Sequence, residues 1–428
     1  MGFFKDLGQF MMMGARAHAK WELEMSNNIL ESRNRKIILC LLLIPIIIGG
    51  IALAGDVSGS LPDVLGGKKA YTPAFYTPTI FIVSILVGLG AGLITGCIGA
   101  GGGFIIAPAL MSAGVKGILA VGTDLFHIFA KAIMGSVLHK KLGNVSVPLA
   151  VTFLIGAIAG ATAGGVLNRT LYEINPVLSD AFITTVYALM LGFLGFYSLF
   201  DYISARKKEA IVIVEGTGKM EESIPPLGKK LQSYNIPPMV KFDEGVTPGG
   251  RKISAVFLIV SGFIVGAAAG IMGVGGGFLT FPIFVYGLGV SSMTTVGTDI
   301  FQIIFTAGYA SISQYAIYGF IFYTLAMGML LGSLFGIQIG SLVTKVVPGI
   351  TIRGFYAMAV IAGFLNRVFA LPGKLREMEV LDISEKTAYI LEQIGIYSFF
   401  IVIAIFGFWV IGTFLRNIKV LKGEVPAS

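Results

Sequence analysis

The run Gly99-Ala100-Gly101-Gly102-Gly103-Phe104, closed by Pro108, returns as Gly273-Val274-Gly275-Gly276-Gly277-Phe278, closed by Pro282. The glycines upstream keep the same spacing: Gly88, Gly92 and Gly96 answer to Gly262, Gly266 and Gly270. Downstream, Gly122-Thr123-Asp124 answers to Gly297-Thr298-Asp299, with the offset grown by one residue. Consecutive glycines followed by proline break a helix. The chain is therefore read as two repeats, each built around one break.

The surroundings of these breaks are apolar. Hydrophobic residues make up 55% of the chain and charged residues 13%, against about 25% charged in a soluble domain. Many apolar runs exceed the roughly 18 residues that cross a bilayer as helix. A polytopic membrane protein follows, with the lipid bilayer as its first partner. The net charge of +8 does not point to nucleic acid, because Lys and Arg sit at span ends and in two polar segments, where they set topology. Two cysteines, Cys40 and Cys97, both in apolar segments, give no disulfide framework. Three histidines, one of them near the N-terminus, argue against a metal centre, and no motif calls for a cofactor. The Gly-x-Gly-x-Gly pattern lacks the preceding strand and following acid of a dinucleotide loop. No HExxH, Ser/His pair or redox cysteine cluster supports an enzyme.

The expected fold is an all-α polytopic membrane protein: two inverted repeats with broken, re-entrant helical hairpins, about eight full spans plus two hairpins. Residues 1–36 form a cytoplasmic N-terminal segment, with an interfacial amphipathic helix and a plain tail equally open. Residues 37–55 form an extra transmembrane helix. Repeat 1 spans 79–202, a cytoplasmic linker 203–252, repeat 2 253–415 and a cytoplasmic tail 416–428. Inversion comes from charge. The N-terminal tail, His139-Lys140-Lys141, the linker, Lys345, Arg353 and the C-terminal Arg416, Lys419 and Lys422 all fall on the cytoplasmic side only if each broken segment enters and leaves on one side. Residues 79–111 suit that reading, being too long for one straight span and too short for two.

Irregular backbone inside a membrane is tolerated where it lines a cavity or is buried in protein. A glycine tip followed by a helix N-terminus offers bare amides to an anion. Gly101, Gly102, Gly103 and Phe104, with Gly275, Gly276, Gly277 and Phe278, are the expected substrate contacts, joined by the hydroxyls of Thr123 and Thr298. Helix capping by these threonines is the competing reading. Asp124, His127 and Lys131 share one helix face at i, i+3 and i+7. Together with Asp299 and Gln302 they are the candidates for coupling or gating, since acids inside the membrane are costly and usually functional. The strings Gly156/Gly160/Gly164 and Gly328/Gly332/Gly336/Gly340 read as packing surfaces. Asn366-Arg367 reads first as an interfacial anchor and second as an anion contact.

Two GxGGGF-x3-P runs, followed by Ala120-Val121-Gly122-Thr123 and Thr295-Val296-Gly297-Thr298, resemble the TauE/SafE family. The resemblance implies a bacterial or archaeal cytoplasmic-membrane permease that exports sulfite, sulfoacetate or a related organosulfonate. A proton- or sodium-coupled importer and a non-transporting accessory protein are the alternatives, and a homodimer is compatible with the sequence.

Overall fold

The computed structural model describes residues 78–98, 103–141, 145–209, 226–243, 250–344, 346–347 and 349–417. The expected N-terminal segment and first helix, and the C-terminal tail beyond 417, lie outside these residues. The helices run α1 (Pro78–Ile98), α2 (Gly103–Ser112), α3 (Gly117–Lys141), α4 (Val147–Ile174), α5 (Pro176–Glu209) and α6 (Pro226–Ser233). Strands β1 (Met239–Phe242) and β2 (Arg251–Ser254) follow. Then come α7 (Ala255–Met272), α8 (Gly277–Pro282), α9 (Ser292–Tyr309), α10 (Tyr323–Val343), α11 (Gly349–Glu377) and α12 (Glu385–Arg416). Six helices, α4, α5, α7, α10, α11 and α12, are long and apolar enough to cross a membrane in the described part.

The broken segments have unequal arms. α1 has 21 residues and α2 only 10, so the first arm spans about 31 Å and the second about 15 Å. In the second copy α7 has 18 residues and α8 only 6. The missing amide of Pro282 closes α8, and a wider π-type turn, Ile283–Leu288, carries the chain on.

The glycine strings decide which helices pair. Gly88, Gly92 and Gly96 of α1 lie against Met329, Ser333 and Ile337 of α10. Gly156, Gly160 and Gly164 of α4 lie against Ile259, Phe263 and Ala267 of α7. Numbers rise together in both sets, so each pair is parallel. The approach is close: a methyl at Gly156 would fall 1.9 Å from the Ile259 carbonyl oxygen. The other pairs run opposite ways. Gly192 meets Phe364 and Tyr202 meets Gly354, which makes α5 and α11 antiparallel. Phe129 meets Gly308 while Gly122 meets Tyr315, which does the same for α3 and α9 with its continuation. Each of these four pairs joins one half of the chain to the other. α12 runs back along α11, with Gly395 on Phe369 and Phe399 by Gly363. Leu86, Phe193, Phe200 and Phe408 leave an apolar, exposed outer surface.

The described part of the linker is folded. β1 and β2 form an antiparallel hairpin, Met239 opposite Ser254 and Phe242 opposite Arg251, and Phe242 and Ile253 are buried. Gln232 donates to the carbonyls of Leu288 and Gly289, and Arg251 to that of Gly289. Asp243 accepts the Ser291 amide and hydroxyl at 2.9 and 2.7 Å. The linker thus clasps the turn that starts α9. The corresponding turn before α3 is held by Asp180 of α5, which accepts the Gly117 amide at 2.8 Å. A carboxylate at a helix start meets the positive end of the helix.

Candidate functional site

The second glycine tip is built by dihedral angles that only glycine adopts cheaply. Gly273, Gly275 and Gly276 have φ of 79, 66 and 85°, in the left-handed region where a Cβ collides with its own carbonyl. Gly273 ends α7 there, and its amide donates to the Ala269 carbonyl. This tip lies along α3: Gly273 packs on Val121 and Gly275 on Ile128. The first tip arrives at the same place. A Cβ on Gly103 would stand 3.1 Å from both the Val274 Cα and the Ile128 side chain. Ile128 is near the middle of the 25-residue α3, so the two breaks meet at mid-helix depth. Gly101 and Gly102 lie outside the described residues, as does the Phe278 side chain. The Phe104 ring is buried and turned to α11, edge-on to Tyr356 at 5.7 Å.

The paired acids flank these tips. Asp299 is buried, and a Cβ on Gly277, the first residue of α8, would stand 3.1 Å from its Oδ2. Its Oδ1 accepts from Gln302 at 2.9 Å, and Gln302 Oε1 accepts from Thr306 at 2.7 Å. Asp124 is fully buried, yet neither of its oxygens has a hydrogen-bond partner among the described residues. The Ala107 amide of α2 lies beside it without closing a bond. His127 Nδ1 stands 3.7 Å from Asp124 Oδ1. His127 Nε2 reaches Ser333 Oγ on α10 at 3.0 Å, and Ser333 donates to the Gly88 carbonyl of α1 at 3.1 Å. Lys131 follows one turn later, half-buried.

Both threonines are engaged with backbone. Thr123 Oγ1 accepts the Phe322 amide at 2.9 Å and Thr298 Oγ1 accepts the Ser146 amide at 3.0 Å. Each hydroxyl keeps its own hydrogen to donate, which is what an anion requires.

Sequence reasoning placed Arg367 at an interface; the structure buries it to 3% exposure. It donates to Ser112 Oγ at 2.7 Å, to the Pro108 carbonyl at 3.2 Å and to Asn366 Oδ1, closing the end of α2. Three further residues passed unnoticed. Asn168 and Tyr315 donate to the Gly270 carbonyl and Tyr187 to that of Met272, so the C-terminal carbonyls of α7 are satisfied inside the protein.

The family model for the sulfite exporter TauE/SafE matches residues 84–366, ending before α12. Among similar curated proteins, probable membrane transporter protein YjnA of Bacillus subtilis (strain 168) is 28% identical over 263 residues, 60% of this chain and 87% of its own length. A probable membrane transporter protein of Xylella fastidiosa (strain 9a5c) is 22% identical, covering 68% of this chain and 92% of its own. Sulfite exporter TauE/SafE family protein 6 of Arabidopsis thaliana is 30% identical over 115 residues, 25% of this chain and 27% of its own. No solved structure matches. With two glycine breaks packed against each other and two thirds of the sequence under the family model, the chain belongs to the sulfite exporter TauE/SafE family of membrane transporters.

Proposed function

We propose that this protein is a secondary transporter exporting small anions, sulfite, sulfoacetate or a related organosulfonate, from the cytoplasm. The substrate sits between the two glycine tips and access alternates as one repeat rocks on the other. The observation that carries the reading is the contact of Gly103 with Val274, with α2 and α8 starting at that point. Amides and hydroxyls, with few fixed charges, suit a small oxyanion that must bind and leave.

Inverted repeats are supported by helix direction: the corresponding helices α5 and α11 run antiparallel, as do α3 and α9. Following these directions, the linker, the turn 289–291 and the end of α12 share one face. The helix ends on that face carry Lys140, Lys141, Arg206, Lys207, Lys208 and Arg416, which supports reading it as the cytoplasmic face. The opposite face mixes Lys374 and Arg376 with Glu377, Glu379 and Asp382. In an inside-negative cell anion efflux is downhill, so export needs no motor.

Flux in proteoliposomes tests the reading, with sulfite, sulfoacetate, taurine, sulfate and acetate each offered to the full-length protein. Sulfite or a sulfonate moves faster than in empty liposomes, and Gly102→Val and Gly276→Val abolish the difference. If none of the five moves, the substrate assignment is wrong; if the valine variants transport normally, the site is elsewhere.

A further inference from the structure

Two homologous acids flank the tips, and only one of them is satisfied. Asp299 accepts from Gln302, which is held in turn by Thr306. A glutamine cannot take up a proton, so Asp299 has no titratable neighbour at that position with which to share one. At the matching position of the first repeat, His127 replaces the glutamine, and both Asp124 oxygens and His127 Nδ1 are buried without a hydrogen-bond partner among the described residues. A carboxylate at zero exposure without a hydrogen-bond partner is costly to keep charged.

The orientation of the imidazole is fixed from the far side. Ser333 gives its hydrogen to the Gly88 carbonyl, so its oxygen accepts from His127 Nε2–H. Nδ1 is then the nitrogen that faces Asp124. Asp, His and Ser stand in the order of a hydrolase triad, but this serine is no nucleophile. Its hydrogen goes to Gly88, and its Cα would be 2.7 Å from a methyl on Gly92, which leaves no room for an acyl group.

We propose that Asp124 and His127 hold one exchangeable proton between them and that this proton crosses the membrane with the anion. The inference rests on the transport reading above. With the proton present the pair has no net charge, whether the proton is on the carboxyl or on Nδ1. When it leaves to water, no other bond changes and one negative charge remains. Ile128, the next residue, is the side chain on which Gly103 and Gly275 both pack. A bound anion and an empty pair therefore repel each other at short range in a medium of low dielectric. Anion and proton bind and leave together, and with a dianion such as sulfoacetate one net negative charge still moves, so the potential favours its efflux. The other polar groups about the pair are Lys131 on its own helix, Ser333 on α10, the Ala107 amide on α2 and Tyr187 on α5, with Arg367 on α11 behind Tyr187. Repeat 2 has no such Asp–His pair, because Gln302 stands where the histidine would be.

Two measurements on the full-length protein in liposomes test this. Infrared spectroscopy across a pH series reads the carbonyl stretch of protonated carboxylic acids. A titrating band is expected that disappears in Asp124→Asn and shifts in His127→Gln and in Ser333→Ala. If no such band depends on Asp124, or if neither His127→Gln nor Ser333→Ala moves it, the proton site is refuted. The second measurement follows internal pH during sulfoacetate flux, since this sulfonate is fully ionised at neutral pH and carries no proton itself. Proton movement should track sulfoacetate movement and be lost in Asp124→Asn and His127→Gln. Sulfoacetate flux without proton movement in the wild type refutes the coupling and leaves transport standing. If no sulfoacetate moves, the transport reading for this anion and its coupling both fail, while the infrared band still decides whether Asp124 holds a proton.

Discussion

Thr123 on α3 accepts the backbone amide of Phe322, the residue before α10, and Thr298 on α9 returns the contact to Ser146, the residue before α4. Each half of the chain thus caps a helix of the other. The amide at a helix start has no partner within the helix, and the threonine hydroxyl supplies one here. Thr123→Val and Thr298→Val should each cost about 1–3 kcal/mol, the range for a buried donor left unsatisfied. Thr123→Ser and Thr298→Ser keep the acceptor and should stay near wild type. Thermal unfolding of the purified variants in detergent reads the difference, and equal melting of all four would show that the clasp carries no stability.

The parallel pairs α1–α10 and α4–α7 rest on backbone-to-backbone contact at glycine. Gly156→Ala places its methyl 1.9 Å from the Ile259 carbonyl, so it should lower stability by about 1–3 kcal/mol, the cost of overpacking. Gly412 in α12 is the internal control, because nothing lies within 4 Å of a Cβ there. Gly412→Ala should be neutral or stabilising by about 0.5–1 kcal/mol, the ordinary gain of alanine within a helix. The ranking of the two melting temperatures tests the packing directly.

These pairings also mark what the sequence made legible. Spacing of Gly88, Gly92 and Gly96 announces a close helix contact, but not with which helix, because small residues state a distance and not an identity. The exchange of partners between halves appears only in three dimensions. Ser333 was hidden for a related reason: inside a glycine string a serine reads as one more small residue. Arg367 misled through a helix end. The apolar run stops near Leu371, whereas α11 continues to Glu377, ten residues or about 15 Å beyond the arginine. The linker hairpin was missed because its strands are four residues long and lie among charges, and its partners at 288–291 are distant in sequence.

The linker contact makes its own prediction. Asp243 is buried and holds both the amide and hydroxyl of Ser291 as well as facing Arg251 at 3.4 Å. Asp243→Ala leaves the Ser291 amide without its acceptor, a loss of about 1–3 kcal/mol. Most of it should appear locally, as faster protease cleavage between 226 and 254 with little change in global melting. Cleavage at the wild-type rate would show that the hairpin is held without Asp243, by the Gln232 and Arg251 bonds and the burial of Phe242 and Ile253.

The arginine at the end of α2 is placed to hold the first broken hairpin rigid. Its guanidinium reaches the Pro108 carbonyl, Ser112 and Asn366 together, and only a planar fork spans such a set. Arg367→Lys keeps the charge and loses the fork; Arg367→Met keeps the bulk and loses both. Hydrogen bonds to a charged group are worth about 1.5–3 kcal/mol each, so both variants should melt earlier, methionine no less than lysine. Because α2 begins at the proposed site and ends at this clamp, anion flux in proteoliposomes should fall in both as well. If Arg367→Lys restores flux while Arg367→Met abolishes it, the charge and not the fork is what the site needs, and Arg367 then belongs to anion attraction. If both variants melt and transport as wild type does, α2 is held by packing alone.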